Sequence, residues 1–104
     1  MNSSAGVITS TLSSGTVADH SVVKSGRVIN ILFFVRDAST PATGRVATLP
    51  EGYRPQGVRY LMGEIIVNNN RIPMRFNVDA NGNISLYYGN ITMTQVEIAG
   101  TIPL

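Results

Sequence analysis

The stretch RIPMRFNVDANGNISLYY, residues 71–88, is the part of the chain that most directly indicates the fold. Its first part, residues 71–78, alternates apolar and polar side chains, as does a β-strand with one face against a core. DANGN, residues 79–83, then supplies an Asn-Gly pair, the strongest short-range signal for a hairpin turn. ISLYY, residues 84–88, is again rich in strand-forming residues. We therefore predict two antiparallel strands joined by a tight turn.

The alternation also assigns the side chains of residues 71–78 to two faces. We predict an inward face of Ile72, Met74, Phe76 and Val78, and an outward face of Arg71, Pro73, Arg75 and Asn77. Proline has no N–H to donate to a neighbouring strand. This strand is therefore expected at a sheet edge, or bulged at Pro73.

Further strand signals recur along the rest of the chain. One hairpin is predicted from 17–24 and 27–36 around Ser25-Gly26, and another from 58–67 and 71–78 around three asparagines. Strands at 91–98 and in GTIPL (100–104) and a long loop at 37–45 complete the pattern. No helical periodicity is present, so we predict one all-β domain over 1–104, a small antiparallel β-barrel or sandwich, with 1–16 as a candidate stem or linker.

Composition narrows the classes of function. Eight basic residues face six acidic ones, and the basic residues are spread from Lys24 to Arg75. This charge is too sparse for a duplex-binding surface, so we expect no nucleic-acid partner. The longest apolar run, residues 31–35, is too short to span a membrane, so no membrane insertion is expected. The opening MNSSAGVITS shows no secretory-signal pattern. There is no cysteine, which excludes disulfides and thiol chemistry.

Two predicted strands are apolar on both faces. VINILFFVR, residues 28–36, is apolar almost throughout. YLMGEIIV, residues 60–67, places Leu61, Ile65 and Val67 on one face and Tyr60, Met62 and Ile66 on the other. A strand of this kind needs cover on both sides. A second sheet or a neighbouring subunit would supply it, and we predict a homo-oligomer.

Catalytic and metal-binding patterns are weak. The chain has one histidine, His20, and no sequence motif of a catalytic nucleophile with which it could act. We therefore interpret His20 as an exposed or interface residue. Glu64 is the one acid inside an apolar strand, so a carboxylate pair for glycan hydrolysis is not evident. DANGN lacks the later glutamate of a calcium loop. We predict no enzyme, no metal and no cofactor; a glycan depolymerase stays a weaker alternative.

Binding features are clearer. Tyr87 and Tyr88 are adjacent, so one of them should face outward, and a tyrosine ring suits the apolar face of a sugar. Arg71 and Arg75 can bind phosphate or carboxylate through paired N–H groups. The proline-rich loop LPEGYRP, residues 49–55, is interpreted as scaffold more than as ligand contact.

A family resemblance rests on the order and spacing of these motifs. The segment YRPQGVRYLMGEIIVNNNRIPMRFNVDANGNISLYYGNI resembles the C-terminal head domain of receptor-binding proteins of lactococcal phages, and more loosely other tail-fibre tips. RVINILFFVR resembles the strand that precedes it in that family, so the resemblance runs from about Arg27 to Leu104. It implies a trimeric β head at the tail tip that binds host cell-wall saccharide, typically phosphate-containing, without catalysis.

The resulting hypothesis is a non-enzymatic phage receptor-binding domain of the tail tip or baseplate, acting outside the cell at the host surface. Its expected partners are host cell-surface polysaccharide, further copies in a homotrimer, and other tail or baseplate proteins. The expected saccharide-binding residues are Tyr87, Tyr88, Arg59, Arg71, Arg75, Glu64 and Asn69. The alternative is a structural baseplate module that contacts only virion proteins.

Overall fold

The computed structural model describes residues 3–12, 14–39, 44–87 and 93–104. None of these segments contains a helix long and apolar enough to cross a membrane. Nine strands occur in the described segments: β1 Ser3–Gly6, β2 Thr9–Ser10, β3 Ser14–Ser25, β4 Val28–Ser39, β5 Arg45–Thr48, β6 Arg59–Val67, β7 Asn70–Val78, β8 Asn83–Leu86 and β9 Gln95–Pro103.

The strands form one antiparallel sheet in the order β1-β3-β4-β9-β6-β7-β8-β5-β2. Its two edge strands, β1 and β2, are consecutive in the chain and are separated only by Val7 and Ile8. Because a two-residue link holds the two edges near each other, the sheet must curl round on itself. The fold is a nearly closed antiparallel β-barrel, which confirms the predicted all-β class and selects the barrel over the sandwich.

Inward-facing side chains fill the barrel with an apolar core. No polar or charged side chain is buried among the described residues. The core side chains of the long strands are Ile29, Ile31, Phe33 and Val35 of β4, Leu61 and Ile65 of β6, Met74, Phe76 and Val78 of β7, and Val96, Ile98 and Ile102 of β9. Their spacing of two residues, or of four where Gly63 or Gly100 lies between them, follows from the alternation of side chains along a strand. The inward assignment of Met74, Phe76 and Val78 is confirmed.

Ile72 is the exception on the inward face of β7. Its side chain is 37% exposed. It lies two residues from the start of β7, in the part of the strand that does not pair with β8. All the described strands belong to one sheet, so no second sheet of described residues covers the apolar outer face of β4 and β6.

Two tight turns use residues with positive φ. The β3–β4 turn consists of Gly26 and Arg27, one residue later than predicted, with Gly26 at φ 62°. A glycine with positive φ at the first central position suits a type II′ turn. The β6–β7 turn consists of Asn68 and Asn69, at φ 51° and 63°. Two consecutive positive values are those of type I′, which matches the twist of a hairpin.

The predicted DANGN hairpin is confirmed between β7 and β8. Asp79 Oδ1 accepts hydrogen bonds from the backbone N–H groups of Asn81, at 2.9 Å, and Asn83, at 3.0 Å. Gly82 has φ 83°. The aspartate therefore organises its own turn, and its carboxylate serves the backbone.

Several strand boundaries differ from the predictions, and those of β4 and β9 differ most. β4 continues to Ser39, into the predicted loop, because its polar end pairs with β3 through Ser14. β9 runs without a break from Gln95 to Pro103, so the predicted separate strand in GTIPL is part of it, paired with β4 along its whole length. Residues 91–92 of the predicted strand lie outside the described segments. The candidate stem contributes β1 and β2 to the sheet.

Pro73 lies where β7 has a described neighbour on one side only. It is paired with Glu64 of β6, whereas β8 pairs with β7 only from Phe76 to Val78. The prediction of an edge strand or a bulge is nevertheless wrong for β7 as a whole, because β7 lies between β6 and β8 and its register with β6 is continuous through Pro73. The missing N–H of Pro73 is tolerated because β8 is not paired with β7 at that point.

The LPEGYRP loop supports the barrel. Leu49 is fully buried, and its carbonyl oxygen accepts a hydrogen bond from Arg54 Nε at 3.0 Å. Tyr53 packs against the core. These contacts give Tyr53 and Arg54 structural roles.

Candidate functional site

The outer face of the β6–β7 hairpin collects the aromatic and charged side chains of interest. Leu61 and Ile65 point into the core, so Tyr60, Met62 and Glu64 point outward. Tyr60 is 51% exposed and Met62 is 59% exposed. On β7 the same alternation turns Arg71, Pro73 and Arg75 to this face.

Arg75 lies between two tyrosines. Its guanidinium carbon is 4.0 Å from the ring centroid of Tyr60 and 4.6 Å from that of Tyr87. The two rings meet edge to face, with centroids 6.3 Å apart and an interplanar angle of 71°. Tyr87 reaches this position because its backbone N–H donates to the carbonyl of Arg75, which extends the β7–β8 pairing past the end of β8. We call Tyr60, Arg75 and Tyr87 the tyrosine–arginine cluster.

The two tyrosine rings attract the positive charge of Arg75 and do not occupy its N–H donors. A guanidinium over an aromatic ring is attracted by the electron-rich face of that ring. Among the described residues, no side chain or backbone oxygen accepts a hydrogen bond from the guanidinium of Arg75. Five N–H donors on a positioned cation are suited to a carboxylate or phosphate group.

Arg71, on the same face of β7, has a different environment. Its Nη1 donates to Glu64 Oε1 at 3.0 Å and also to Glu97 Oε2 of β9. Hydrogen bonds to Glu64 and then to Glu97 raise the pKa of Arg71, so its charge is retained. Glu64 and Glu97 lie directly opposite each other in the β6–β9 pairing. This carboxylate pair was not predicted from the sequence, and it is bridged by one guanidinium nitrogen.

An open groove of about 460 Å³ crosses the same outer face. Its walls include Leu32 and Phe34 of β4 on one side and Met62 and Pro73 on the other, with Ala99 of β9 between them. The apolar outer faces of β4 and β6 that the sequence indicated therefore meet in this groove.

The predicted site residues fall into separate places. Arg75 and Tyr87 come together in the tyrosine–arginine cluster, and Glu64 and Arg71 in the ion pair. Arg59 instead donates to the backbone oxygens of Pro103, at 3.2 Å, and Leu104, at 2.8 Å.

The last two predicted site residues are not in either group. Asn69 occupies the β6–β7 turn, past Arg71 and on the far side of it from the tyrosine–arginine cluster. Tyr88 lies outside the described residues.

Sequence reasoning missed Tyr60 and Glu97 as members of the site. The pattern of YLMGEIIV did place Tyr60 on the face opposite to the core, but the residues beside it depend on strand register. Tyr60 is opposite Asn77, and the next outward residue of β7 is Arg75. Glu97 is brought to Glu64 by β9, a strand distant in sequence.

In the described segments, no group of three or more His, Cys, Asp or Glu residues lies close enough together to hold a metal ion. His20 is exposed on β3. Comparison with protein-family models and with curated protein sequences finds no match for this chain.

Proposed function

We propose that this chain is a non-enzymatic receptor-binding domain that attaches a phage tail to saccharide on the host cell surface. The observation that carries the proposal is the tyrosine–arginine cluster, in which two exposed tyrosine rings hold a cation whose donors form no hydrogen bond to a described residue. The resemblance of residues 27–104 to lactococcal phage head domains supports the same class of function.

The chemistry of the cluster suits a sugar that bears an anionic group. Tyrosine rings provide apolar surface for the C–H face of a sugar, and their hydroxyls are polar at the rim. Arg75 binds a phosphate or carboxylate substituent through paired N–H groups. Because this site is shallow and open to solvent, a single copy is expected to bind weakly.

Firm attachment then depends on several copies. We propose a homotrimer at the tail tip or baseplate, held to neighbouring virion proteins. Support comes from the outer apolar surface of β4 and β6, which the single-layered barrel leaves uncovered. Linked copies that engage one polymer raise the overall affinity by orders of magnitude without any new contact. Measurement of the mass in solution tests the assembly, and a monomer at micromolar concentration contradicts it.

Binding to host-wall polysaccharide tests the function. Arg75→Ala is expected to remove most of the binding, while Arg27→Ala is the matched control because Arg27 is an exposed arginine in the β3–β4 turn and not a member of the tyrosine–arginine cluster. Both variants should melt at the wild-type temperature. Equal binding by Arg75→Ala and wild type contradicts the proposed site. Release of free sugar from the wall, lost in Glu64→Gln, would instead indicate a depolymerase.

A structural module of the tail is the second candidate. The apolar groove that includes Leu32, Phe34 and Met62 favours it, because such a surface also suits a protein partner. Removing the chain from the phage distinguishes the two functions. Intact particles that fail to adsorb indicate a receptor-binding domain, whereas particles that fail to assemble indicate a structural module.

A further inference from the structure

The groove on the outer face exists because β9 carries a small residue between larger ones. Ala99 lies directly opposite Leu32 of β4. Phe34 lies next to Leu32 on this outer face, while Met62 and Pro73 rise on the other side of Ala99. The exposed alanine therefore leaves a depression with walls of C–H surface.

The groove adjoins the tyrosine–arginine cluster. Met62 lines the groove and is directly opposite Arg75 in the β6–β7 pairing. From β4 to β7 the surface crosses three strand spacings, about 14 Å in all. A ligand bound at Arg75 that reaches the far wall of the groove must therefore be longer than one sugar ring.

The two parts of this surface carry opposite charge. The groove contains Glu64 and Glu97, and Arg71 balances one of these two carboxylates. Glu64 Oε2 and Glu97 Oε1 accept no hydrogen bond from any described residue. These oxygens attract hydroxyl donors and repel anions, whereas Arg75 attracts anions.

We infer that the groove is a second subsite, which takes neutral, hydroxyl-rich sugar units of the same chain whose anionic group binds at Arg75. The inference rests on the proposed function and specifies the sequence of units along the ligand, which is a charged substituent followed by uncharged sugars. Apolar walls pack against the C–H faces of the sugars, and the unused carboxylate oxygens accept hydrogen bonds from their hydroxyls.

A glycan array tests the inference. The array carries neutral, carboxylated and phosphorylated glycans, each as single sugars and as longer chains, so that the two sources of negative charge are distinguished. Ala99→Phe fills the groove with a side chain that strands accept well. Ala18→Phe is the matched control, since Ala18 is an exposed alanine of β3 outside the groove.

The expected result depends on ligand length. Ala99→Phe should weaken the binding of long anionic chains about tenfold, equivalent to one or two lost contacts, and leave single anionic sugars unaffected. Ala18→Phe should bind as wild type does. If Ala99→Phe binds long chains normally while Arg75→Ala does not, the second subsite is wrong and the proposed function stands. If wild type retains no glycan of the array, both are wrong.

Discussion

Two arginines on the same outer face of β7 make different kinds of contact. Arg71 and Arg75 are four residues apart, about 13 Å along the strand. Each contacts the β6 residue two positions before the one directly opposite it. For Arg71, opposite Ile66, that diagonal residue is Glu64; for Arg75, opposite Met62, it is Tyr60. The same geometry therefore gives one salt bridge and one cation–π contact.

The difference is between an arginine paired with two carboxylates and an arginine packed between two aromatic rings. Nη1 of Arg71 donates to both Glu64 and Glu97, so this arginine joins β7, β6 and β9. Arg75 is held by two aromatic rings, and no described residue accepts a hydrogen bond from its guanidinium, which is why we propose it as the ligand contact. The outward position of an arginine in a strand is therefore not enough to make it a candidate for ligand binding. The residue diagonally opposite it on the neighbouring strand decides which contacts it makes.

The largest expected effect comes from disrupting the close approach of β6 to β9, on which the contacts of Arg71 with Glu64 and Glu97 depend. A Cβ at Gly63 would lie 2.5 Å from the carbonyl oxygen of Glu97 and 2.9 Å from Phe76 Cε1. Gly63→Ala should therefore lower the free energy of unfolding by about 2 kcal/mol. Gly100→Ala is the control, because its Cβ would meet Leu61 at an ordinary 3.7 Å. Equal denaturation midpoints for the two variants contradict this account.

A second change converts the Arg75 environment into that of Arg71. In Tyr60→Glu the diagonal neighbour of Arg75 becomes a carboxylate, which should occupy the donors and repel an anionic ligand. Affinity for host-wall polysaccharide is expected to fall by about tenfold or more, that is, about 1.4 kcal/mol. Tyr60→Phe retains the ring and should lose much less. Titration calorimetry measures both, and wild-type affinity in Tyr60→Glu refutes the role of the rings.

A smaller effect is expected from removing the bridge itself. Arg71→Ala leaves the directly opposed Glu64 and Glu97 without their shared cation, and like charges in that arrangement destabilise a sheet. The melting temperature should fall slightly, and the deficit should shrink as added salt screens the repulsion. Arg71→Ala combined with Glu97→Gln should recover stability. A deficit that salt and the second substitution leave unchanged would point to lost packing instead.

No pH dependence is expected from Arg71 in the ordinary range. Because pairing with Glu64 and Glu97 raises its pKa in the folded state, its contribution to stability is complete from neutral pH up to the ordinary arginine value. The contribution is lost only when the pH rises through the raised value. A melting series between neutral and mildly alkaline pH should therefore show the same difference between wild type and Arg71→Ala throughout.

The smallest effect is expected at the hairpin tip. Asn69 has φ 63° in a type I′ turn, a conformation that glycine adopts without strain. Asn69→Gly should change stability by a few tenths of a kcal/mol and leave saccharide binding unchanged. Weaker binding by this variant would show that Asn69 belongs to the binding site, as predicted from the sequence. The binding surface would then extend beyond Arg71.

The candidate site was partly predictable. The alternation in RIPMRFNV was enough to turn Arg71 and Arg75 outward, and the alternation in YLMGEIIV turned Tyr60 and Met62 to the face away from the core. Neither pattern shows how the two strands are aligned with each other, so the sequence did not predict which outward side chains are in contact. Arg59 was misleading for a related reason: the backbone oxygens that it contacts belong to the end of β9, far away in sequence.

The sequence by itself determined the β class, the hairpins at the asparagine and Asn-Gly turns, and the division of each strand into an inner and an outer face. These follow from local rules, because side chains alternate along a strand and turns need residues that tolerate positive φ. Only the tertiary structure decided that the sheet closes into a barrel and that β9 inserts between β4 and β6. Those pairings join residues far apart in the chain, and they bring Glu97 to Arg71 and Ala99 to the floor of the groove.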